Sequence, residues 1–404
     1  MRRTYLMKKI CLLLAVCLLL AACPAFAEEA AEASALLEQA QAALMAEDYE
    51  TAVPLLQKAA EMGDPTGQLW LGNCYSAGAG VEQDDEAAAK YYQLSADQGN
   101  LAAEYNLAFC YLEGTGVAQD AEKAEQLFKA CADQGDAEAQ YALGYLYFYG
   151  EGLNQNREEA AKYLQLAADQ EYVAARYYLG LCFMNGWGVE RDAQKAADNF
   201  KLAADQGVDG AQYQLALLYQ QGNGVEQDFE KAFYYYGLAA AQDYPEALTA
   251  VGFLYGQGLG TAPDLEAMLK YYRLAAEYGE PMALFNLGCC YRDGMGVEQD
   301  YEEMLQYFRR AVDLGNANAQ FNLGFCYYVG QGVETDYAEA FRLFRLAADQ
   351  GFPVAMFAVG DCCYLGTGVE KNAEHAAEWF QKALDAGYEP DAEDQKHIAD
   401  VMGN

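Results

Sequence analysis

Positive charge is scarce in this chain. Only 25 Lys and Arg stand against 61 Asp and Glu in 404 residues, a net charge of −36. Arg2, Arg3, Lys8 and Lys9 all precede the first acid, Glu28, so the chain from Glu28 onwards carries 21 − 61 = −40. A nucleic-acid surface needs a basic footprint to neutralise phosphates, and anionic lipid attracts a chain through the same charge. Both are excluded as electrostatic partners. The sign leaves plain solubility and a protein or peptide partner with a basic surface.

Catalytic residue types are scarce as well. The two histidines, His375 and His397, lie 22 residues apart, and the three serines are Ser34, Ser76 and Ser95. None of these serines opens an S-x-x-K, and neither a Ser/His dyad nor H-E-x-x-H is present. Carboxylates are so abundant that no acid–base pair stands out. No catalytic, cofactor-binding or metal-ligating residue is therefore assigned, and the chain is not expected to be an enzyme.

No apolar run is long enough for a membrane. The stretch 10–22 has thirteen residues, too few to span about 30 Å of hydrocarbon as a helix. Arg2, Arg3, Lys8 and Lys9 precede it and Ala25-Phe26-Ala27 follows it, the plan of a secretory signal peptide. Residues 1–27 are read as a leader, and the mature chain as exported: secreted, periplasmic or at the cell surface. Leu20-Ala21-Ala22-Cys23 offers a competing cleavage, because it resembles the lipobox in which the Cys is acylated. Pro24 directly after that Cys is unusual for the pattern.

What the chain has in abundance is repetition. A glycine recurs at Gly78, Gly114, Gly150, Gly186, Gly222, Gly258, Gly294, Gly330 and Gly366, at an interval of 36 residues with no insertion. A fixed period of this length means one array of stacked units rather than two or three globules. The blocks are 64–99, 100–135, 136–171, 172–207, 208–243, 244–279, 280–315, 316–351 and 352–387. Each reads as helix–turn–helix. Pro65, Pro245, Pro281 and Pro353 sit at the second position of their blocks, where a first helical turn tolerates Pro. The twenty-first position is Asp84, Asp120, Asn156, Asp192, Asp228, Asp264, Asp300, Asp336 or Asn372, the N-cap signature of the second helix. Acids such as Glu86, Glu122 and Glu230 follow in its first turn, where the helix dipole favours them. Glycine or a small polar residue ends it.

Residues 28–63 read as a degenerate helix pair capping the N-terminal end, with Asp48 at the distance from Gly63 that Asp84 keeps from Gly99. Residues 388–404 read as a C-terminal capping helix.

The columns define the core. Leu71, Leu107, Leu143, Leu179, Leu215, Val251, Leu287, Leu323 and Val359 share one position, each followed by Ala or Gly. Gly67, Ala103, Ala139, Ala175, Ala211, Ala247, Ala283, Ala319 and Ala355 share another. Tyr92, Phe128, Leu164, Phe200, Tyr236, Tyr272, Phe308, Phe344 and Phe380 form a bulky column in the second helix. Small against large is how packed layers interdigitate. Cys74, Cys110, Cys182, Cys290, Cys326 and Cys362 occupy one core column, which elsewhere holds Leu146, Leu218 or Leu254. Nine of the 12 cysteines follow Ala27. Equivalent positions in adjacent repeats lie about 8–10 Å apart, beyond the ~7 Å Cα limit for a disulfide, so the expectation is a ladder of buried thiols.

Together these columns resemble the Sel-1-like repeat, a relative of the tetratricopeptide repeat. The resemblance is carried by Ala319, Leu323-Gly324, Tyr327, Gly330, Gly332-Val333, Asp336, Phe344, Ala347-Ala348 and Gly351, and by their equivalents in the other blocks. Departures are local: Leu153, Asn156, Glu171, Asp243 and Cys363. The resemblance implies an all-α fold, a right-handed α/α superhelical solenoid, that holds other proteins together as an adaptor. It also implies, for secreted bacterial members, roles in envelope assembly and host contact. Some cysteine-rich relatives are linked to β-lactams, but this chain lacks their cysteine pairing within the repeat.

Function is sought where the repeats disagree. Trp70, Asn106, Tyr178, Asn286 and Asn322 vary at one first-helix position. Three residues on come Asn73, Phe109, Tyr145, Phe253, Phe325 and Asp361. A turn further come Glu113, Tyr149, Asn185, Gln221, Gln257 and Asp293. These positions share a helix face and avoid the Leu/Ala face, so they are expected to line a concave protein-binding groove, acidic and rich in Tyr and Asn. The competing expectation is that their aromatics pack against the next repeat. The reading is an exported scaffold that binds a protein or peptide; the alternatives are an envelope enzyme or its accessory subunit, and a surface lipoprotein anchored through Cys23.

Overall fold

The computed structural model of the chain describes residues 24–403, with side chains placed from 29 onwards. Its regular structure is entirely helical, 21 helices with no strand among the described residues. Two helices come first, α1 (Pro24–Met45) and α2 (Tyr49–Glu61). First and second helices then alternate: α3 (Pro65–Ala77) and α4 (Asp85–Ala96), α5 (Leu101–Glu113) and α6 (Ala121–Asp133), α7 (Ala137–Tyr149) and α8 (Arg157–Asp169), α9 (Val173–Asn185) and α10 (Ala193–Ala204). They continue with α11 (Asp209–Gln221) and α12 (Phe229–Ala240), α13 (Pro245–Gln257) and α14 (Leu265–Glu277), α15 (Pro281–Asp293) and α16 (Tyr301–Asp313). Last come α17 (Ala317–Val329) and α18 (Tyr337–Asp349), α19 (Pro353–Leu365) and α20 (Ala373–Asp385), then α21 (Ala392–Met402). The expected leader, 1–27 with Cys23, lies outside the described residues except for its last four, which begin α1.

The second helices start where their caps require. The Asp84 and Asp264 carboxylates accept the N–H of Ala87 and Ala267, each at 2.9 Å, and the Asn372 carbonyl accepts that of His375 at 3.0 Å. Asp300 takes two, from Glu302 at 2.8 Å and Glu303 at 3.1 Å. All nine expected caps make this bond. Each such cap satisfies a donor that no intrahelical carbonyl can reach.

The turn glycines do two different jobs. Gly114 ends α5 in the left-handed region at φ 76°, a conformation costly for any residue with a Cβ. Gly116, at φ 70°, also touches the preceding repeat: a Cβ there would lie 1.9 Å from the Asp85 carbonyl oxygen. The G-x-G is thus a packing device as well as a turn.

The core follows the columns. Ala103, Ala139 and Ala283 are fully buried, as are Leu71, Leu143 and Leu287. The glycine after the core Leu makes room for the bulky column: a Cβ on Gly288 would lie 2.5 Å from the Phe308 ring, and one on Gly72 2.7 Å from Tyr92. Fully burying such a ring is worth about 1.5–3 kcal/mol.

A polar clasp accompanies this packing. Buried Gln140 donates to the Ala132 carbonyl at 3.0 Å and accepts from Gln170 at 2.8 Å. Gln170 also donates to the Gly135 carbonyl at 2.9 Å, so one amide pair ties three chain segments. Gln68 with Gln98, Gln212 with Gln242 and Gln320 with Gln350 repeat the contact.

The chain forms two compact units, one up to Asn199 and one from Phe200, the boundary falling inside α10. Within each, a helix packs on those before and after it in the chain. At the end of the second unit α21 lies against α19 and α20. There His397 Nδ1 is 2.6 Å from Asp361, and Tyr364 donates to Asp400 at 2.7 Å.

The nine cysteines after residue 27 are free. All are buried except Cys289, which is half-buried. Burial raises their thiols, those of Cys182, Cys290 and Cys362 to about 12.

Candidate interaction surface

The variable columns lie on the first helices, and not one of the seventeen residues named in them is buried. In the first unit Trp70, Glu113, Tyr149 and Asn185 are exposed, while Asn73, Asn106, Phe109, Tyr145 and Tyr178 are half-buried. Their contacts run both within a repeat and across to the next one. Asn73 Oδ1 accepts from the Tyr92 hydroxyl at 2.9 Å and from Asn106 Nδ2 at 3.1 Å. Phe109 meets Phe128 edge-on at 4.9 Å, and Tyr145 lies 4.8 Å from Tyr149 and 5.4 Å from Tyr178. Packing between neighbours therefore accounts for part of this aromatic character, while Tyr149 keeps 48% of its surface open.

In the second unit Gln221, Phe253, Gln257, Asp293 and Phe325 are exposed, and Asn286 and Asn322 are half-buried. Phe253 and Phe325 leave 40% and 46% of their surface in solvent. Arg292 holds Asp293 at 2.8 Å and reaches Asn322 at 3.0 Å. That pairing keeps the Asp293 carboxyl below the usual carboxylate range.

Charge is sorted between the two helices of the repeat. The first helices α3 to α19 carry only two cations, Arg176 and Arg292, against Glu104, Glu113, Glu138, Asp209, Glu246, Asp293 and Asp361. Among the described residues, the other cations stand on second helices, in turns or in the terminal helices, many beside an acid of their own helix or of its N-cap. Lys123 pairs with Asp120, Lys231 with Asp228 and Arg342 with Glu339. Such exposed pairs add little stability, but they absorb positive charge on the second-helix side. The first-helix side keeps its negative charge.

The spaces on that side include one at the equivalent position in each unit, and a further one in the first unit of about 370 Å³ beside Asn106, Phe109 and Glu113. Between α5 and α7 a space of about 630 Å³ is lined by Tyr105, Phe109, Leu112, Tyr141 and Tyr145, with Glu113 and Glu151 among its walls. Burial, then the Glu138 charge, raises the Tyr105 hydroxyl; burial, then Glu151 and Tyr149, raises that of Tyr145. In the second unit a space of about 190 Å³ is lined by Phe321, Phe325, Tyr328, Phe357, Ala358 and Asp361. These residues stand six repeats after Tyr105, Phe109, Leu112, Tyr141, Ala142 and Tyr145.

The variable columns of the sequence include Phe109, Glu113, Tyr145 and Phe325 but not Tyr105, Tyr141 or Glu151. The signal available is Ala142 and Ala358, small residues, as Ala250 is, in a column that elsewhere holds Trp70, Asn106, Tyr178, Gln214, Asn286 or Asn322.

No three His, Cys, Asp or Glu among the described residues are placed to hold a metal ion. No helix among them is long and apolar enough to cross a membrane.

The Sel1 repeat family matches ten stretches, at 42–64, 65–100, 101–136, 137–172, 173–208, 210–244, 245–279, 281–316, 317–352 and 353–388. Comparison with curated proteins gives no match. Among solved structures, a protective antigen of uropathogenic Escherichia coli with an SLR fold is 27% identical, with a TM-score of 0.65 over 91% of this chain and 90% of that one. A Sel1 repeat protein from Oxalobacter formigenes is 32% identical, with a TM-score of 0.60 over 74% of this chain and 87% of that one. Ten matched repeats from 42 to 388, laid over helix pairs that cap, turn and pack alike, make this chain a member of the Sel1 repeat family, in the tetratricopeptide-repeat-like superfamily.

Proposed function

We propose that the chain is an exported scaffold that captures a protein or peptide with a basic surface on the first-helix face of its units. The family's repeat fold suggests a protein–protein interaction scaffold. The observation that carries the finer reading is the sorting of charge: nine first helices expose rings, amides and carboxylates but only two cations, one of them neutralised by Asp293. Rings with few rotatable bonds bury much area at low entropic cost, and amides adapt their hydrogen bonds to the partner. Negative potential on that face would speed encounter with a basic partner and reject acidic ones.

The test uses the array beginning at Glu28 as bait against native envelope extract. Glu113→Lys combined with Asp293→Lys should weaken capture of the recovered partner at least fivefold, and added salt should weaken the parent further than the variant. Affinity indifferent to both would remove the electrostatic part of the reading. Export is tested on its own by the mass of the mature protein: Glu28 as first residue supports a soluble exported form, and an acylated Cys23 supports the lipoprotein.

A further inference from the structure

The cavity between α5 and α7 has a composition that selects its occupant. Four rings, Tyr105, Phe109, Tyr141 and Tyr145, surround a space of about 630 Å³, a size typical of ligand sites. Glu113 and Glu151 stand among its walls. Neither makes an ion pair with Lys, Arg or His among the described residues, and α5 and α7 contain no Lys or Arg. An anionic occupant would meet two like charges, and a purely apolar one would take water from those carboxylates without replacing it. A long cationic side chain meets neither penalty. Its aliphatic stem lies against apolar surface, its charge is attracted to ring faces, and the carboxylates supply counter-charge.

We propose that this cavity takes an arginine or lysine side chain presented by the captured partner. The proposal deepens the basic-partner reading above and rests on it. Ala142 lines the opening in a column that is also Ala at Ala250 and Ala358 and that carries Trp70, Asn106, Tyr178, Gln214, Asn286 or Asn322 in the other first helices. The equivalent cavity of the second unit differs in the way that matters. Asp361 replaces Tyr145 there, and it already has a partner in His397 at 2.6 Å. Its space is about 190 Å³. The assignment is therefore to the first-unit cavity alone.

The probe is a fluorescein-labelled nonapeptide alternating arginine and leucine, titrated into the array from Glu28 and followed by anisotropy. A peptide with glutamate in place of arginine is the charge control. Ala142→Gln fills the cavity with a side chain the same column accepts at Gln214, leaving net charge unchanged. Glu113→Gln with Glu151→Gln removes the counter-charge without adding bulk. Glu122→Gln with Glu158→Gln removes equal charge from exposed second-helix positions. The two cavity variants should each weaken the arginine peptide about tenfold, and the second-helix pair less than about twofold. Far-ultraviolet circular dichroism and thermal midpoints verify that all three variants fold. Equal weakening by all three, or no effect of Ala142→Gln, overturns the cavity assignment. If Asp293→Lys and salt still weaken binding in that case, the basic-partner reading survives. If the arginine peptide fails to bind, or the glutamate peptide binds more tightly, both fall.

Discussion

A Cβ on Gly135 would meet nothing within 4 Å, whereas one on Gly116 would lie 1.9 Å from the Asp85 carbonyl oxygen. Both glycines have positive φ, 90° and 70°, so sequence pattern alone ranks them together. The contacts separate them. Gly135→Ala should cost only the backbone preference, about 1 kcal/mol, while Gly116→Ala must also displace a neighbouring helix start and should cost about 3 kcal/mol. Glu171 and Asp243 run the first argument in reverse. They hold φ 64° and 61° where other repeats have glycine, and Glu171→Gly should add about 1 kcal/mol. Urea unfolding of the three variants measures the differences. Equal losses at Gly116 and Gly135 would mean that the turn does not grip the preceding repeat.

At the scale of helices, legibility depended on range. The second-helix caps could be read because an Asp or Asn acts on an N–H two or three residues away, and the turn glycines because φ is local. The Gln140–Gln170 clasp could not. Its members are 30 residues apart, and Gln170 alone looks like any polar surface residue. The first-unit cavity was hidden for a similar reason, since it consists of what Ala142 fails to fill between two helices. With the clasp in view the repeats show its logic: where Gln140 and Gln170 stand in one repeat, Leu284 and Leu314 stand in another. Removing one partner leaves a buried amide short of a bond, at about 1–3 kcal/mol, whereas replacing both with apolar groups is close to neutral. Gln170→Leu alone should therefore destabilise, and Gln140→Leu with Gln170→Leu should recover most of the loss. A double-mutant cycle in urea measures the coupling. Additive losses would show that the two amides act independently.

Across the whole molecule the property with the widest consequence is the column of buried thiols, present in both units. Cys182 in the first and Cys362 in the second are pushed up to about 12, in each case first by burial. The ordinary thiol value is 9.0, so in the folded chain they stay protonated where an unfolded chain has begun to ionise. Stability from this source is fully present below pH 9 and is lost as pH rises towards 12, because unfolding then releases protons. After allowance for screening, each group removes about 1 kcal/mol per pH unit in that window, and Cys290, pushed up to about 12, acts in the same direction. A few such groups approach the few kcal/mol on which a folded domain depends. The chain should therefore unfold steeply above pH 9, with thiolate absorbance rising together with the loss of helical circular dichroism. Leucine already fills the column at Leu146, Leu218 and Leu254, so Cys182→Leu with Cys362→Leu can remove two proton-releasing sites without changing the character of the core. That variant should move the alkaline midpoint to higher pH. If thiolate absorbance instead rises near pH 9 while the helices stay intact, the thiols are open to solvent and the column is not the sealed core position that packing assigns to it.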